Sequence, residues 1–196
     1  LETVGIALAG TGLGALLAAP LAFLSTPKLL PRPAALLFRV LIVAIRSVPF
    51  LIYGLIFIRV SGPGAFTGVL TLAVCSIGLL SKRFTEAIEA LDFRAYDALR
   101  AMGVSLLPRI RYAVLPQLAP ALASAVLYRF DVNIREASVL GLVGAGGIGA
   151  PLIFAMNQYA WSDVSAIFLG FVLLVWGIDV GSVRLRHRRS TAAASE

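Results

Sequence analysis

The strongest constraint on the fold of this chain is a series of long apolar segments separated by polar stretches. A transmembrane helix needs about 20 mostly apolar residues to cross the hydrocarbon core of a bilayer. Five segments meet this requirement, at about 1–24, 34–60, 65–81, 117–141 and 163–183, and they occupy more than half of the 196 residues. A composition with 59% hydrophobic and 14% charged residues is too apolar for an ordinary soluble domain. The sequence therefore predicts an all-α, polytopic membrane helical bundle with five spans.

The basic residues are unevenly distributed between the loops, and this asymmetry predicts the orientation of the chain. They lie between the first and second segments, between the third and fourth, and after the fifth, at Lys28, Arg32, Lys82, Arg83, Arg94, Arg100, Arg109, Arg111, Arg184, Arg186, Arg188 and Arg189. The connections 61–64 and 142–162 contain no Lys or Arg. This positive-inside pattern places 82–116 and the C-terminus in the cytoplasm, so the net charge of +7 does not indicate nucleic-acid binding. Leu1 is then outside, and we expect at least one further N-terminal span.

The inventory of reactive side chains argues against enzymatic chemistry. Cys75 is the only cysteine and lies inside an apolar segment, while His187 is the only histidine and lies in the basic tail. A disulfide, a zinc site or a His-based catalytic triad therefore has too few residues to form. We expect a non-catalytic protein with no metal site and no cofactor of its own.

The fourth apolar segment contains an unusual concentration of polar side chains near its centre. Ionisable residues inside a membrane span are costly and indicate a functional site. Asp131 and Arg135 are four residues apart and can form an ion pair along a helix, which is also a purely structural explanation for both. Arg129, Asn133 and Glu136 lie on another face. Because no acid lies three or four residues from Arg129, we expect its partner on another helix, at a subunit interface or in a passing anion.

Proline and glycine mark two further features of the apolar segments. In the second segment, Arg46 lies deep in the span and Pro49 follows it, so we expect a bend there. After the fourth segment comes a loop rich in glycine, with Gly144, Gly146, Gly147 and Gly149. The glycine spacing matches part of a nucleotide-binding fingerprint, but no βαβ pattern surrounds it. A reentrant turn at the outer mouth of a pathway fits better, because irregular backbone at membrane depth is tolerated where it lines a cavity.

The polar insert 82–116 contains an amphipathic helical pattern that ends at Gly103. Composition alone would favour a solvated loop. The spacing resembles the cytoplasmic coupling loop of ABC importer permeases, whose pattern is Glu-Ala-Ala, three residues, Gly, nine residues, Ile, one residue and Leu-Pro. The positions that match this pattern are Ala98, Gly103, Leu115 and Pro116, and those that depart from it are Asp97, Leu99 and Ala113.

The similarity extends beyond the insert, since the chain resembles the phosphonate permease subfamily of ABC importers over 1–186. The motifs that carry the resemblance are Arg46-Ser47-Val48-Pro49, Phe84-Thr85-Glu86-Ala87-Ile88-Glu89, Tyr128-Arg129-Phe130-Asp131-Val132-Asn133-Ile134-Arg135 and Val143-Gly144-Ala145-Gly146-Gly147-Ile148-Gly149. The first and last also occur in methionine-type permeases, so the third is the one that points to phosphonate. The resemblance implies a type I ABC importer permease core in the inner membrane. The transmembrane permease domain would cover 1–186, and 187–196 would be a disordered basic cytoplasmic tail.

The resemblance also implies partners and residue roles. The expected partners are cytoplasmic ABC ATPases that hold ATP and Mg, a second permease copy in a homodimer, an extracytoplasmic phosphonate-binding protein and membrane lipid. The chain itself contains no Gly-x-x-x-x-Gly-Lys-Ser/Thr loop for ATP. The expected roles are ATPase coupling for Asp97, Ala98, Gly103, Leu115 and Pro116, the substrate path for Arg46, Arg129, Asn133 and Arg135, an ion pair or packing for Asp131 and Glu136, and a gate for Gly144, Gly146, Gly147 and Gly149.

Alternatives remain open from the sequence. The same machinery could import phosphite, another phosphorus oxyanion or an amino acid such as methionine. A membrane enzyme acting on lipid phosphates would need a nucleophile or a metal cluster, for which the residues are lacking. A membrane scaffold without transport activity is the third alternative.

Overall fold

The computed structural model describes residues 1–27, 29 and 31–193, and for 182–193 it describes the backbone alone. Over these residues the chain is helical and contains no strand, as predicted. This description does not include Lys28 or the side chains of the four basic residues after the last span. These residues support the predicted orientation. The helices are α1 (Glu2–Leu24), α2 (Arg32–Ser47), α3 (Phe50–Ser61), α4 (Ala65–Glu89), α5 (Arg94–Ala101), α6 (Leu106–Arg109), a π-helical turn (Ile110–Val114), α7 (Leu115–Leu142), α8 (Gly149–Asn157) and α9 (Trp161–Ala193).

The core of the bundle is the pair α1 and α4, which lie side by side and run in the same direction. Two glycines of α1 make this contact close. A Cβ on Gly10 would lie 2.7 Å from the Cβ of Leu72, and a Cβ on Gly14 would lie 2.4 Å from the Cβ of Ser76. Membrane helices are not driven together by the hydrophobic effect, so small residues that let backbones approach provide the packing. α7 packs against both helices and completes the core.

The second predicted span, 34–60, is broken into α2 and α3, which are bent by 83° relative to each other. The break coincides with the bend expected at Pro49 but is sharper than a kink within one helix. Val48 is extended, with φ −89° and ψ 124°, because the proline ring disfavours a helical conformation in the residue before it. Pro49 also has no N–H for the carbonyl of Ile45, and the hydroxyl of Tyr53 donates to that carbonyl at 3.0 Å.

The polar insert begins later than predicted, because α4 continues to Glu89 and does not end near residue 81. The reason is that Phe84 and Ile88 are buried at helical spacing among the charged residues of this stretch. The insert also ends earlier than predicted, because α6, the π-helical turn and α7 form one continuous span from Leu106 to Leu142. The wide π turn lies directly before Pro116, whose ring would clash with the preceding turn of a regular α-helix.

The C-terminal part of the chain contains more helix than predicted. α8 follows the glycine loop, and α9 continues to Ala193, where the sequence predicts a disordered tail from residue 187. Ala, Leu and Arg are good helix formers, so the backbone of the last span extends without a break. The end of the predicted tail, 194–196, lies outside the described residues. Four described helices are long and apolar enough to cross a membrane, and the α2–α3 pair makes five, in agreement with the predicted number of spans.

Candidate functional site

α5 lies at one end of the bundle, which we call the α5 end, and a buried aromatic side chain holds it there. Tyr96 is 5% exposed and belongs to a cluster with the last turns of α1 and α4 and the first turn of α7. Phe93 makes an edge contact with its ring at 5.6 Å between centroids, and the guanidinium of Arg109 lies 5.1 Å from the ring centroid. Tyr96 therefore joins α5 to these three spans through direct packing.

The opposite face of α5 is exposed and carries residues that the sequence assigns to coupling. Asp97 and Ala98 are exposed, and Met102, directly after the helix, is 69% exposed. Leu115 and Pro116 are also exposed and form the start of α7. The structure therefore places all of them at the surface of the α5 end.

Gly103 ends α5 in a left-handed conformation, with φ +75°. The N–H of Gly103 donates to the carbonyl of Arg100 at 3.0 Å, and the N–H of Val104 donates to the carbonyl of Leu99 at 3.1 Å. These two bonds form a Schellman motif, which satisfies carbonyls at the end of the helix. The predicted helix end at Gly103 is confirmed.

The centre of the bundle contains a buried polar network that joins α1, α4 and α7. The hydroxyl of Ser76 on α4 accepts hydrogen bonds from Nε of Arg129 at 3.1 Å and from Nδ2 of Asn133 at 2.9 Å. The same amide nitrogen donates to the hydroxyl of Thr11 on α1 at 2.7 Å. All these side chains are buried. Such a network fixes the register of the three helices, because a slip would leave buried polar groups unpaired.

Arg129 finds its acid on its own helix, and the expectation of a charged partner elsewhere is wrong. Its Nη1 and Nη2 donate to Oε1 and Oε2 of Glu136 at 3.2 and 2.7 Å. Glu136 is seven residues further along α7, which is about two turns. Helix rules consider pairs three or four residues apart, but two long side chains extended toward each other bridge two turns. The charge of Arg129 is therefore already compensated within the chain.

The second ion pair of α7 forms as predicted. Nη2 of Arg135 donates to Oδ2 of Asp131 at 2.6 Å, and Nη1 lies 3.4 Å from Oδ1. Asp131 is buried, whereas the side chain of Arg135 is 46% exposed. The pair keeps a buried carboxylate satisfied, because an unpaired carboxylate in this position would be strongly unfavourable.

Two cavities flank the pair formed by Arg129 and Glu136. One cavity of about 180 Å³ is lined by both partners and by Arg46 of α2. The other, of about 250 Å³, is lined by the same pair together with Arg83 and Tyr128. The guanidinium of Arg83 lies 5.6 Å from the centre of the Tyr128 ring. The pair thus separates two spaces that a small polar solute could occupy.

Arg46 is exposed and, within the part of the chain that the structure describes, makes no ion pair. It also lines a further cavity of about 230 Å³ between α2 and the C-terminal half of α4. Gly78 of α4 allows this approach, since a Cβ there would lie 3.3 Å from the backbone N of Arg46. Arg39 and Glu89, which line the same cavity, form an ion pair across 50 residues of sequence. Sequence reasoning missed this pair because no local rule relates such distant positions.

The glycine loop lies at the other end of the bundle, which we call the glycine-loop end. Gly144, Gly146 and Gly147 have φ between +77° and +98°, a region that favours glycine. The N–H of the residue after Gly147 donates to the hydroxyl of Thr3 at 2.9 Å, and the loop also bonds to the turn before α4. Gly149 begins α8 and touches α7 so closely that a Cβ would overlap its backbone. The predicted reentrant turn is thus a tight loop tied to α1, α4 and α7.

These features define a class of protein. A bundle of apolar spans with cavities beside central ion pairs, and with an exposed amphipathic helix at one end, is compatible with a membrane transport permease. The chain belongs to the family of binding-protein-dependent transport system inner membrane components, whose model matches residues 10–186. Membership places it among inner membrane transport components.

Several relatives are transport permeases for phosphorus oxyanions. A phosphite transport system permease protein of Stutzerimonas stutzeri is 38% identical over 187 residues, which are 95% of this chain and 68% of that protein. A phosphate-import permease protein of Mycolicibacterium smegmatis is 36% identical over 95% of this chain and 35% of its own length. An Escherichia coli protein named for a cryptic phosphonate transport system is 41% identical over 60% of this chain and 97% of its own length. The predicted resemblance to phosphonate-type permeases is confirmed. The chain spans about two thirds of the first relative and about one third of the second.

Solved structures confirm the predicted fold. A chain of the methionine ABC transporter MetNI in inward facing conformations superposes with a TM-score of 0.80, over 96% of this chain and 93% of that chain. A chain of an amino acid ABC transporter superposes with a TM-score of 0.76, over 95% of this chain and 90% of that chain. The sequence identities are 21% and 20%, so the likeness concerns the ABC importer permease fold alone.

Proposed function

We propose that this chain is the permease subunit of an ATP-driven importer that moves phosphonate, or a similar phosphorus oxyanion, across the cytoplasmic membrane. The three relatives described above, named for phosphite, phosphate and phosphonate transport, share between 36% and 41% identity with it. The central cavities add a second argument. Arg129 and Glu136 compensate each other there, so Arg46 contributes an excess positive charge. Positively charged side chains of this kind line anion pathways in membrane proteins.

The position of Arg46, without an ion pair among the described residues and beside a central cavity, is the observation that carries the proposal. A guanidinium offers several N–H donors in a planar fork that suits the oxygens of a phosphorus oxyanion. The cavity beside it is open, and passage requires binding that is weak enough for the anion to leave. Arg129 and Arg135, which the sequence also assigns to the path, are each held by a carboxylate. We therefore expect them to shape the path and Arg46 to contact the anion.

The coupling role of α5 is supported by its packing, with Tyr96 buried against the spans and the opposite face exposed. An exposed helix face that enters a groove of a partner is a common mode of recognition. We expect Asp97, Ala98 and Met102 to contact a cytoplasmic ATPase that binds ATP and Mg, while buried Tyr96 passes the movement into the spans. The bundle then alternates between two packings whose relative stability depends on the nucleotide state.

The two ends of the bundle suggest where the other partners bind. Basic residues concentrate at the α5 end, so we propose that this end is cytoplasmic. The glycine-loop end would then receive substrate from an extracytoplasmic binding protein. A second, identical permease copy would cover the cavities beside Arg46, because charged cavities facing lipid would be unfavourable.

The proposal is tested by uptake of labelled methylphosphonate, phosphite, phosphate and methionine in cells that carry the complete transporter and lack other routes for these compounds. We expect uptake of at least one phosphorus oxyanion and no uptake of methionine. Arg46→Gln should reduce uptake about tenfold or more, because a hydrogen bond to a charged group contributes about 1.5–3 kcal/mol. Arg59→Gln is the matched control, since Arg59 is an exposed arginine of α3 that lines none of these cavities.

Other outcomes would change the proposal in defined ways. Uptake of methionine alone would replace the oxyanion by an amino acid as substrate. If both arginine variants, or neither, lost uptake at equal membrane levels, Arg46 would not be the anion contact. Failure of the chain to stimulate a co-purified ATPase would favour a scaffold over a permease.

A further inference from the structure

Glu136 places a carboxylate beside the cavities that we propose for an anion. The ion pair with Arg129 leaves some acceptor sites of this carboxylate unused. Each carboxylate oxygen of Glu136 accepts one hydrogen bond from Arg129. Because a carboxylate oxygen has two acceptor sites, one on each oxygen remains. The side chain is 19% exposed and lines both cavities, so these remaining sites are within reach of a solute.

A carboxylate in an anion path repels the anion unless the anion carries a proton that it can donate in a hydrogen bond. Phosphorus oxyanions can bring one, because the second ionisation of a phosphoryl group takes place near neutral pH (about 6 in a phosphorylated side chain). Their monoanion therefore has both a hydroxyl donor and ionised oxygens that accept. Sulfate has a similar shape but is fully ionised at this pH and offers acceptors alone. An arginine and a carboxylate in one cavity suit a phosphorus oxyanion that both donates and accepts hydrogen bonds. The same carboxylate repels sulfate, which offers acceptors alone.

We infer that Glu136 is a specificity-determining residue, which accepts a hydrogen bond from the protonated oxygen of a phosphorus oxyanion while Arg46 donates to its ionised oxygens. The inference rests on the proposed function, since it concerns the same path. It makes the permease itself selective for the singly protonated form of the substrate. This selection is added to that of the binding protein.

The groups around Glu136 support this assignment. The charged and titratable side chains that line the two cavities with it are Arg46 from α2, Cys75 and Arg83 from α4, and Tyr128 and Arg129 from α7. The lining residue from α3, Phe50, is apolar. Among the described residues that line these two cavities, Glu136 is thus the one carboxylate available to a protonated oxygen.

The test measures the pH dependence of uptake in proteoliposomes that contain the full-length permease and its ATPase, with the same saturated binding protein in every reaction. Labelled methylphosphonate and phosphite serve as probes. Wild-type uptake should fall from mildly acid to mildly alkaline pH, as the substrate loses its last proton. In Glu136→Gln the amide donates as well as accepts, so the ratio of acid to alkaline uptake should decrease about tenfold. Asp163→Asn removes an exposed carboxylate at the start of α9 and should keep the wild-type ratio.

A second variant protects the test from a folding defect. Glu136→Gln alone leaves Arg129 buried without its acid, which is strongly unfavourable. The double variant Arg129→Gln with Glu136→Gln removes both charges, so no charged group of this pair is left unpaired. Like the single variant it has no carboxylate at position 136, and it should show the same flattened pH dependence. A wild-type pH ratio in these variants would overturn the role of Glu136 and leave the proposed function standing. Absence of uptake of either probe by the wild-type protein would overturn the proposed function itself.

Discussion

Replacement of Gly14 by alanine tests whether the close contact between α1 and α4 sets the geometry of the central polar network. The added Cβ would lie 2.4 Å from the Cβ of Ser76 and 3.0 Å from the carbonyl oxygen of Ala73. Ordinary van der Waals contact begins at 3.4 Å, so the two helices must separate locally by about 1 Å. Ser76 accepts the hydrogen bonds of Arg129 and Asn133, and the same shift lengthens them.

The expected loss can be estimated from these contacts. Overpacking of a close interface costs about 1–3 kcal/mol in free energy of unfolding. Weakening of a buried hydrogen bond adds about 1 kcal/mol. Alanine is a better helix former than glycine by about 1 kcal/mol, which offsets part of this. We therefore expect a net loss of about 1–3 kcal/mol and reduced uptake, because the side chain of Arg129 is displaced from its present position.

The assay is thermal unfolding of the purified transporter in detergent, together with uptake in proteoliposomes. Gly12→Ala is the matched control, because Gly12 lies on the same helix and a Cβ there would meet nothing within 4 Å. This control should be neutral or slightly stabilising. Equal unfolding temperatures for Gly14→Ala and Gly12→Ala would refute the reasoning, since the contact with α4 could then not be close.

Two further predictions concern the end of α5 and the ion pair of α7. Gly103→Ala adds a Cβ in open space but at φ +75°, so we expect a loss of about 1 kcal/mol and weaker stimulation of the ATPase. Asparagine tolerates this conformation better than alanine, so Gly103→Asn should retain more stability and more ATPase stimulation than Gly103→Ala. Equal losses in the two variants would contradict a backbone role. Arg129→Gln leaves Glu136 unpaired and should cost about 3–5 kcal/mol in free energy of unfolding, whereas adding Glu136→Gln should recover part of it. Additive losses in this thermal-unfolding cycle would show that the two residues are not coupled.

Features that depend on local geometry were predictable from the sequence. A span needs only a sufficient apolar length, and the number of candidate spans agrees with the prediction. A helix end at Gly103 needs only one residue that adopts a left-handed conformation. The pair between Asp131 and Arg135 follows from the helical repeat, which brings residues four apart together wherever the helix lies. The family motifs added the class of protein, since their spacing requires no knowledge of packing.

The tertiary structure decided the rest, because these features depend on distances between elements. The 83° break at Pro49 exceeds a local kink, and the close contact at Gly78 places Arg46 beside α4. Arg129 reaches Glu136 because the packing of α4 and α7 holds its side chain extended, which a rule for adjacent turns does not describe. The sequence assigned Arg46, Arg129 and Arg135 alike to the substrate path, and only the structure distinguishes a buried, paired Arg129 from an exposed Arg46 that makes no ion pair with the described residues. The sequence by itself thus determined the spans, the helix end and the family, while only three-dimensional packing decided which charges compensate each other.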